Sequence, residues 1–226
     1  FLLDAQGDYL LVQAGDGYWG WVRRADVKTL SREEFKAYTA APFGLLTRER
    51  PAGDLLLRRG SRLPAEVAAD GTVRARLVSG EVLELRRDAD IEIIDTTAKN
   101  HRRVQAALEL LYTPYVYGGR STTGLDCSGL VASVAELSGL APARDAAQQC
   151  LSGRLVATRW HREGMRAGDQ IYFIDESGKI FHTGIMLNET HFVHCSPPEV
   201  QISSLRKGDR LYNPHWDETF FCVKRH

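Results

Sequence analysis

The feature that most constrains this chain is a change of pattern near Thr96. From there Val104, Leu108 and Leu111 fall at helical spacing between Arg102-Arg103 and Pro114, a residue that cannot continue a helix. A second helix is predicted over 127–138, with Cys127, Leu130, Val131 and Val134 on one face and Gly139 just past its end. Beyond it, residues 170–174, 180–187, 191–195 and 219–224 alternate or run apolar, with Glu176-Ser177-Gly178 and Asn188-Glu189 as turns. Helices first and antiparallel strands afterwards predict an α+β domain over 96–226.

Before the break the pattern is that of small barrels. Short strands are predicted at 9–13, 20–22, 75–78 and 91–94, separated by turn pairs such as Asp16-Gly17 and Asp70-Gly71. Ser31-Arg32-Glu33-Glu34 reads as a capping box that opens a short helix. Two β units are therefore expected side by side, an incomplete one over 1–40 and a second over 41–95.

Composition narrows the partners. Lysine plus arginine and aspartate plus glutamate balance at 29 each, so no general attraction to nucleic acid or anionic lipid is expected. No apolar run approaches the roughly 20 residues of a membrane helix. The opening Phe1-Leu2-Leu3-Asp4 is not a signal peptide and lacks Met, so a fragment or processed form is expected, and location cannot be read directly. The four cysteines have neither metal-type spacing nor the density of a disulfide framework, so most are expected as free thiols and no metal or other cofactor is implied.

Cys127 carries the chemistry. A thiol attacks as thiolate, which a helix N-terminus favours, and Cys127 sits at such a start behind the glycine-rich approach Tyr117-Gly118-Gly119 and Gly124. Its amide is placed to help bind an oxyanion. Among seven histidines, His182 is the best general base, a polar residue in the apolar strand Phe181-His182-Thr183-Gly184-Ile185-Met186. His194, beyond the Asn188-Glu189 turn, would lie across from that strand and orient His182 as a carboxamide would. The competing use of His182, His191 and His194 is zinc, but no HxxxH or CxxC accompanies them. His101, His161, His215 and His226 read as solvated, and Cys195 and Cys222 as packing residues.

These residues fall into five ordered motifs: Pro114-Tyr115-Val116-Tyr117-Gly118-Gly119, Gly124-Leu125-Asp126-Cys127-Ser128-Gly129-Leu130-Val131, Gly168-Asp169, His182-Thr183-Gly184-Ile185 and Val193-His194-Cys195. Together they resemble the NlpC-type cysteine peptidases over residues 96–226. The resemblance implies a papain-like α+β fold, Cys127 as nucleophile, His182 as base and then acid, His194 as its orienting partner, and Tyr115 lining the site. It also implies peptidoglycan stem peptides as substrate, cut between the γ-carboxyl of D-glutamate and a diamino acid, meso-diaminopimelate or lysine. Tyr117, Thr183 and Cys195 depart from the tryptophan, valine and alanine common in the family.

Asp16-Gly17-Tyr18-Trp19-Gly20-Trp21-Val22 is similar to bacterial SH3-like domains. That order of domains resembles the members that accept stem peptides with a free N-terminal L-alanine. For those members the resemblance assigns the amine to Asp126, Ser128 and Asp145, with Tyr18 contributing, although Ala146 and Ala147 stand where a serine is frequent. A cell-envelope or secreted location is expected, with cytoplasmic peptide recycling as the alternative. Two other functions stay open at this level, an acyltransferase or amidase of the same fold and an inactive cell-wall-binding module.

Overall fold

A computed structural model describes residues 1–93, 101–138 and 140–226. Ile94, the expected boundary at Thr96 and the expected helix stop at Gly139 lie outside these residues. The chain divides into two compact units, Phe1–Asp95 and Thr96–His226.

The first unit holds two main antiparallel sheets. Strands Leu2–Gln6, Tyr9–Gln13 and Trp19–Arg23 make a three-stranded meander in which Leu10 alone is fully buried. A helix follows, Arg32–Ala40, closed by the capping box expected at its start: Glu34 N donates to Ser31 Oγ and Ser31 N to the Glu34 carboxylate. The second sheet orders Ile91–Ile93, Phe43–Leu46, Arg62–Val67, Thr72–Arg76 and Val82–Arg86. Alternation along these strands sends Leu63, Ala65, Val73, Ala75 and Leu85 into one core with Leu46 and Ile91.

The second unit is a six-stranded antiparallel sheet in the order Arg154–Thr158, Phe220–Arg225, Gln170–Ile174, Ile180–Met186, His191–Ser196 and Glu199–Ser204. The four strands predicted from sequence are present to within a residue or two. The two edge strands, 154–158 and 199–204, were not predicted. On one face the helices His101–Leu108 and Cys127–Glu136 pack with Leu125, Ile185, Val193, Cys195 and Val200. On the other, Met165, Ile171, Phe173, Met186, Phe192, Phe220 and Val223 pack under Trp216, carried by the short helix Pro214–Thr219.

The first helix is rotated from the expected face. Ala106, Ala107 and Leu110 are buried, whereas Leu108 is 39% exposed and Val104 only half-buried. Small alanines let this helix approach its neighbour closely, a gain that outweighs the larger side chains whose spacing suggested the other face. The second helix is buried nearly all round, from Ser128 to Ala135 with Ser133 half-buried.

Gly168-Asp169 is an anchor of the sheet. Asp169 is fully buried, takes two hydrogen bonds of 2.7 Å from the Arg225 guanidinium, and accepts the Arg166 amide at 2.8 Å. A carboxylate so placed is strongly favourable only while its cation stays. Arg225→Met should therefore destabilise the chain by roughly 3–5 kcal/mol by leaving that charge uncompensated, and Asp169→Asn/Arg225→Met should recover much of it. Urea unfolding of the single and double variants checks both outcomes.

Candidate active site

The site is assembled at one helix start and two neighbouring strands. Asp126 is the N-cap of Cys127–Glu136, its Oδ1 accepting the Gly129 amide at 2.7 Å. Its other oxygen accepts the Gly118 amide at 2.9 Å, which ties the glycine-rich approach to the same carboxylate. Gly129 is required by close contact, since a Cβ there would lie 2.1 Å from the Gly119 carbonyl oxygen. The result is a rigid corner that presents Cys127 as the first residue of its helix, half-buried.

Three amides favour negative charge on the Cys127 sulfur: its own, that of Ser128, and that of Thr183 in the strand Ile180–Met186. The last one fixes the thiol against the residue that follows His182. Even so, burial pushes the Cys127 thiol up, and the adjacent Asp126 carboxylate adds to the effect. The expectation that the helix start alone would lower it is therefore corrected: desolvation and a neighbouring anion outweigh the amides. The thiol needs a base.

His182 and His194 are the candidates. Gly184 pairs directly with His194 across the two strands, so His182, two residues from Gly184, projects from the same face as His194. Close strand approach depends on Gly184, where a Cβ would lie 2.6 Å from the Val193 carbonyl oxygen. His182 Nε2 lies 2.9 Å from His194 Nδ1, which leaves His182 Nδ1 as the nitrogen for the thiol. Burial holds His182 well below the ordinary imidazole range, with a further lowering from His194 and His215, and pushes His194 down to about 3. Both rings are neutral at pH 7. The nearest link between the pair and the thiol is Thr183, which follows His182 and whose amide meets the Cys127 sulfur.

Sequence reading missed three neighbours. Trp216 stacks on His182 with centroids 4.4 Å apart and meets His194 edge-on at 4.8 Å, walling both rings from water. Ser203, on the last strand, has its Oγ 2.9 Å from His194 Nε2. Arg144 donates to Asp126 at 2.7 and 3.1 Å and to Ser128 Oγ at 2.9 Å.

Arg144 contacts two of the expected substrate-binding residues. The Asp126 carboxylate and the Ser128 hydroxyl, expected to hold a substrate amine, are engaged by its guanidinium, which forms an ion pair with Asp126. Asp145, the next residue, caps no amide of the short helix Ala146–Gln149 that it opens, and is half-buried. Gln149 of that helix donates to the Ser128 carbonyl at 3.1 Å, so the segment abuts the Cys127 helix. Tyr115 is close enough to feel the charge of Cys127 and stays protonated, burial raising its phenol first. Tyr18 belongs to the first unit, where it is half exposed.

Cys195 is buried, donates to the Leu125 carbonyl at 3.1 Å, and is pushed up to about 12 by burial, which makes it an inert packing residue. All four cysteines are free. His191 turns to Asp209 at 3.1 Å, away from the imidazole pair, and no metal-sized cluster of His, Cys, Asp or Glu occurs among the described residues.

The NlpC/P60 family pattern matches residues 112–225, half of the chain. The chain belongs to the NlpC/P60 family. Two curated relatives carry the name γ-D-glutamyl-L-lysine dipeptidyl-peptidase. The one from Bacillus subtilis is 26% identical over 87% of this chain and 66% of its own length, and the one from Bacillus cereus is 25% identical over 100% and 72%. The chain thus spans about two thirds of the length of these relatives. A solved NlpC/P60 structure from Bacillus cereus superposes with a TM-score of 0.82 at 23% identity, covering all of this chain and 78% of that one. The α+β architecture expected from sequence is that of the family.

Neutral burial of two imidazoles has a measurable consequence. Their folded values lie below the unfolded value near 6.5, so their contribution is complete above that pH and lost as pH falls below it, for His194 toward about 3. Urea-unfolding stability should drop between pH 6.5 and 4.5 by on the order of 1–3 kcal/mol per pH unit, before most carboxylates titrate. His194→Asn should remove about 1.4 kcal/mol per pH unit of that slope. An unchanged slope would show that His194 is not held neutral.

Proposed function

We propose that this NlpC/P60 chain is a cysteine peptidase that hydrolyses the amide between the γ-carboxyl of D-glutamate and the diamino acid of peptidoglycan stem peptides. The observation that carries the reading is the 2.9 Å pairing of His182 Nε2 with His194, which leaves Nδ1 as the nitrogen available to the thiol, on the residue before Thr183, whose amide meets the Cys127 sulfur. The choice of bond is supported by the names of the two relatives.

In the first half-reaction His182 Nδ1 takes the Cys127 proton as the sulfur attacks the γ-carbonyl carbon. The oxyanion is received by the Cys127 amide at the helix start and by the Tyr115 hydroxyl. The imidazolium then gives its proton to the departing amine of the diamino acid, leaving a thioester. Water, deprotonated by His182, cleaves the thioester and returns the thiol. His194 holds the base ring in place.

The substrate is taken with its L-alanine amine free, as the word dipeptidyl in the relatives' names supports, and Asp145 is the carboxylate that receives it. Asp126 organises the corner instead, through Arg144. Residues 1–40 and 41–95 are read as SH3-like units, and the setting is the cell envelope or the peptides released from it. No helix among the described residues is long and apolar enough to cross a membrane.

Mass spectrometry of L-Ala-γ-D-Glu-L-Lys and its meso-diaminopimelate counterpart tests the reaction. Cys127→Ala should lower kcat on the order of 10⁴-fold, and release of L-Ala-D-Glu by that variant at the parent rate would overturn the assignment. N-acetylation of the substrate should raise KM about 10- to 100-fold, the worth of one charge-assisted hydrogen bond. Asp145→Asn should raise KM for the free amine similarly and leave the acetylated peptide unaffected; equal effects on both would remove Asp145 from the amine site.

A further inference from the structure

We propose that Ser203 is a positioning residue that selects which nitrogen of His182 acts as base. The inference rests on the peptidase reading and concerns atoms that reading does not use. Ser203 lies opposite Phe192 in the pairing of His191–Ser196 with Glu199–Ser204, one diagonal step from His194, and it is buried. Its Oγ is 2.9 Å from His194 Nε2, and His194 Nδ1 is 2.9 Å from His182 Nε2. The three side chains form one line of hydrogen bonds.

A neutral imidazole carries one proton, on one nitrogen or the other, and two lone pairs cannot share a hydrogen bond. Only two orderings of this line exist. If His194 bears its proton on Nε2, it donates to Ser203 Oγ and accepts at Nδ1. His182 then has to be protonated at Nε2, and its Nδ1 is a lone pair that can take the thiol proton. If His194 bears its proton on Nδ1, it donates to His182 Nε2, and His182 carries its proton on Nδ1, where it cannot accept one.

The hydroxyl of Ser203 accepts from His194 Nε2 in the first ordering and can donate to it in the second, so the bias lies in what its removal costs each ordering in a site that Trp216 closes to water. Without it, an Nε2 proton on the buried His194 ring would lose its partner, at the cost of an unmade hydrogen bond, while the second ordering would leave only a lone pair there. The neighbouring Ser204 has a different task, its Oγ accepting the Arg206 amide at 3.1 Å. Ser203 thus acts through His194 and never touches substrate.

The test is Ser203→Ala in the full chain and in a His194→Asn background. A carboxamide oxygen at 194 accepts from His182 Nε2 without any tautomer choice, so the need for Ser203 disappears there. Expected is a kcat loss of about 10-fold or more for Ser203→Ala with KM changed less than about two-fold, shrinking to less than about two-fold in the His194→Asn background. Two-bond ¹H–¹⁵N spectra of ¹⁵N-labelled chain should show His182 protonated at Nε2 in the parent and a population protonated at Nδ1 in Ser203→Ala. An unchanged His182 tautomer overturns the proposal, as does an equal kcat loss in both backgrounds. The spectra need no substrate, so the tautomer claim fails or stands separately from the peptidase reading.

Discussion

The Asp126 carboxylate is the joint on which the site depends. Four donors converge on its two oxygens: the Gly129 amide of its own helix, the Gly118 amide of the approach loop, the Ser128 hydroxyl, and the Arg144 guanidinium from a loop 18 residues on. Each bond alone is modest, but together they fix a helix start, a glycine-rich turn and a surface segment to one point. That point sets where Cys127 sits. The same charge also lies beside the sulfur and makes its ionisation harder, so the corner that positions the thiol does not by itself activate it.

The imidazoles in turn are prepared by desolvation. Phe173, Phe192 and Trp216 pack against His182 and His194, and the aromatic wall that excludes water is what keeps both rings neutral. With both rings and the thiol neutral, the resting site of the proposed reaction stores no ion pair between them. In the proposed reaction charge separates as the bond to the carbonyl forms, when the amides of the helix start and the Tyr115 hydroxyl have something to bind.

Much of this was legible in the sequence because it rests on local pattern. A glycine-rich loop running into an apolar helical period announces Cys127 at a helix start, and a turn between two apolar runs places His194 across from the His182 strand. Arg144, Ser203 and Trp216 were not legible, and for a common reason: each acts on the site through tertiary contact from a segment whose own pattern is weak. Ser203 lies on the edge strand Glu199–Ser204, whose alternation Val200-Gln201-Ile202 was the one available signal. Arg144 comes from a short loop of alanine and proline where nothing local tells a guanidinium that folds back onto Asp126 from one that faces solvent. The rotated face of His101–Leu108 has a similar origin, since spacing records large side chains and the close approach of two helices rewards small ones.

The aromatic wall has a consequence for descent. Because His182 and His194 fill space between Trp216, Phe173 and Phe192, they are part of the packing of the second unit as well as its proposed reactive groups. A lineage that ceased to need the reaction could drop the Cys127 sulfur at almost no structural penalty, since that side chain is half-buried at a helix corner. It could not drop the two rings without refilling their volume. Descendants that have gone silent should therefore betray themselves at position 127 first, while still carrying flat, ring-bearing side chains at 182 and 194 as a fossil of the lost chemistry.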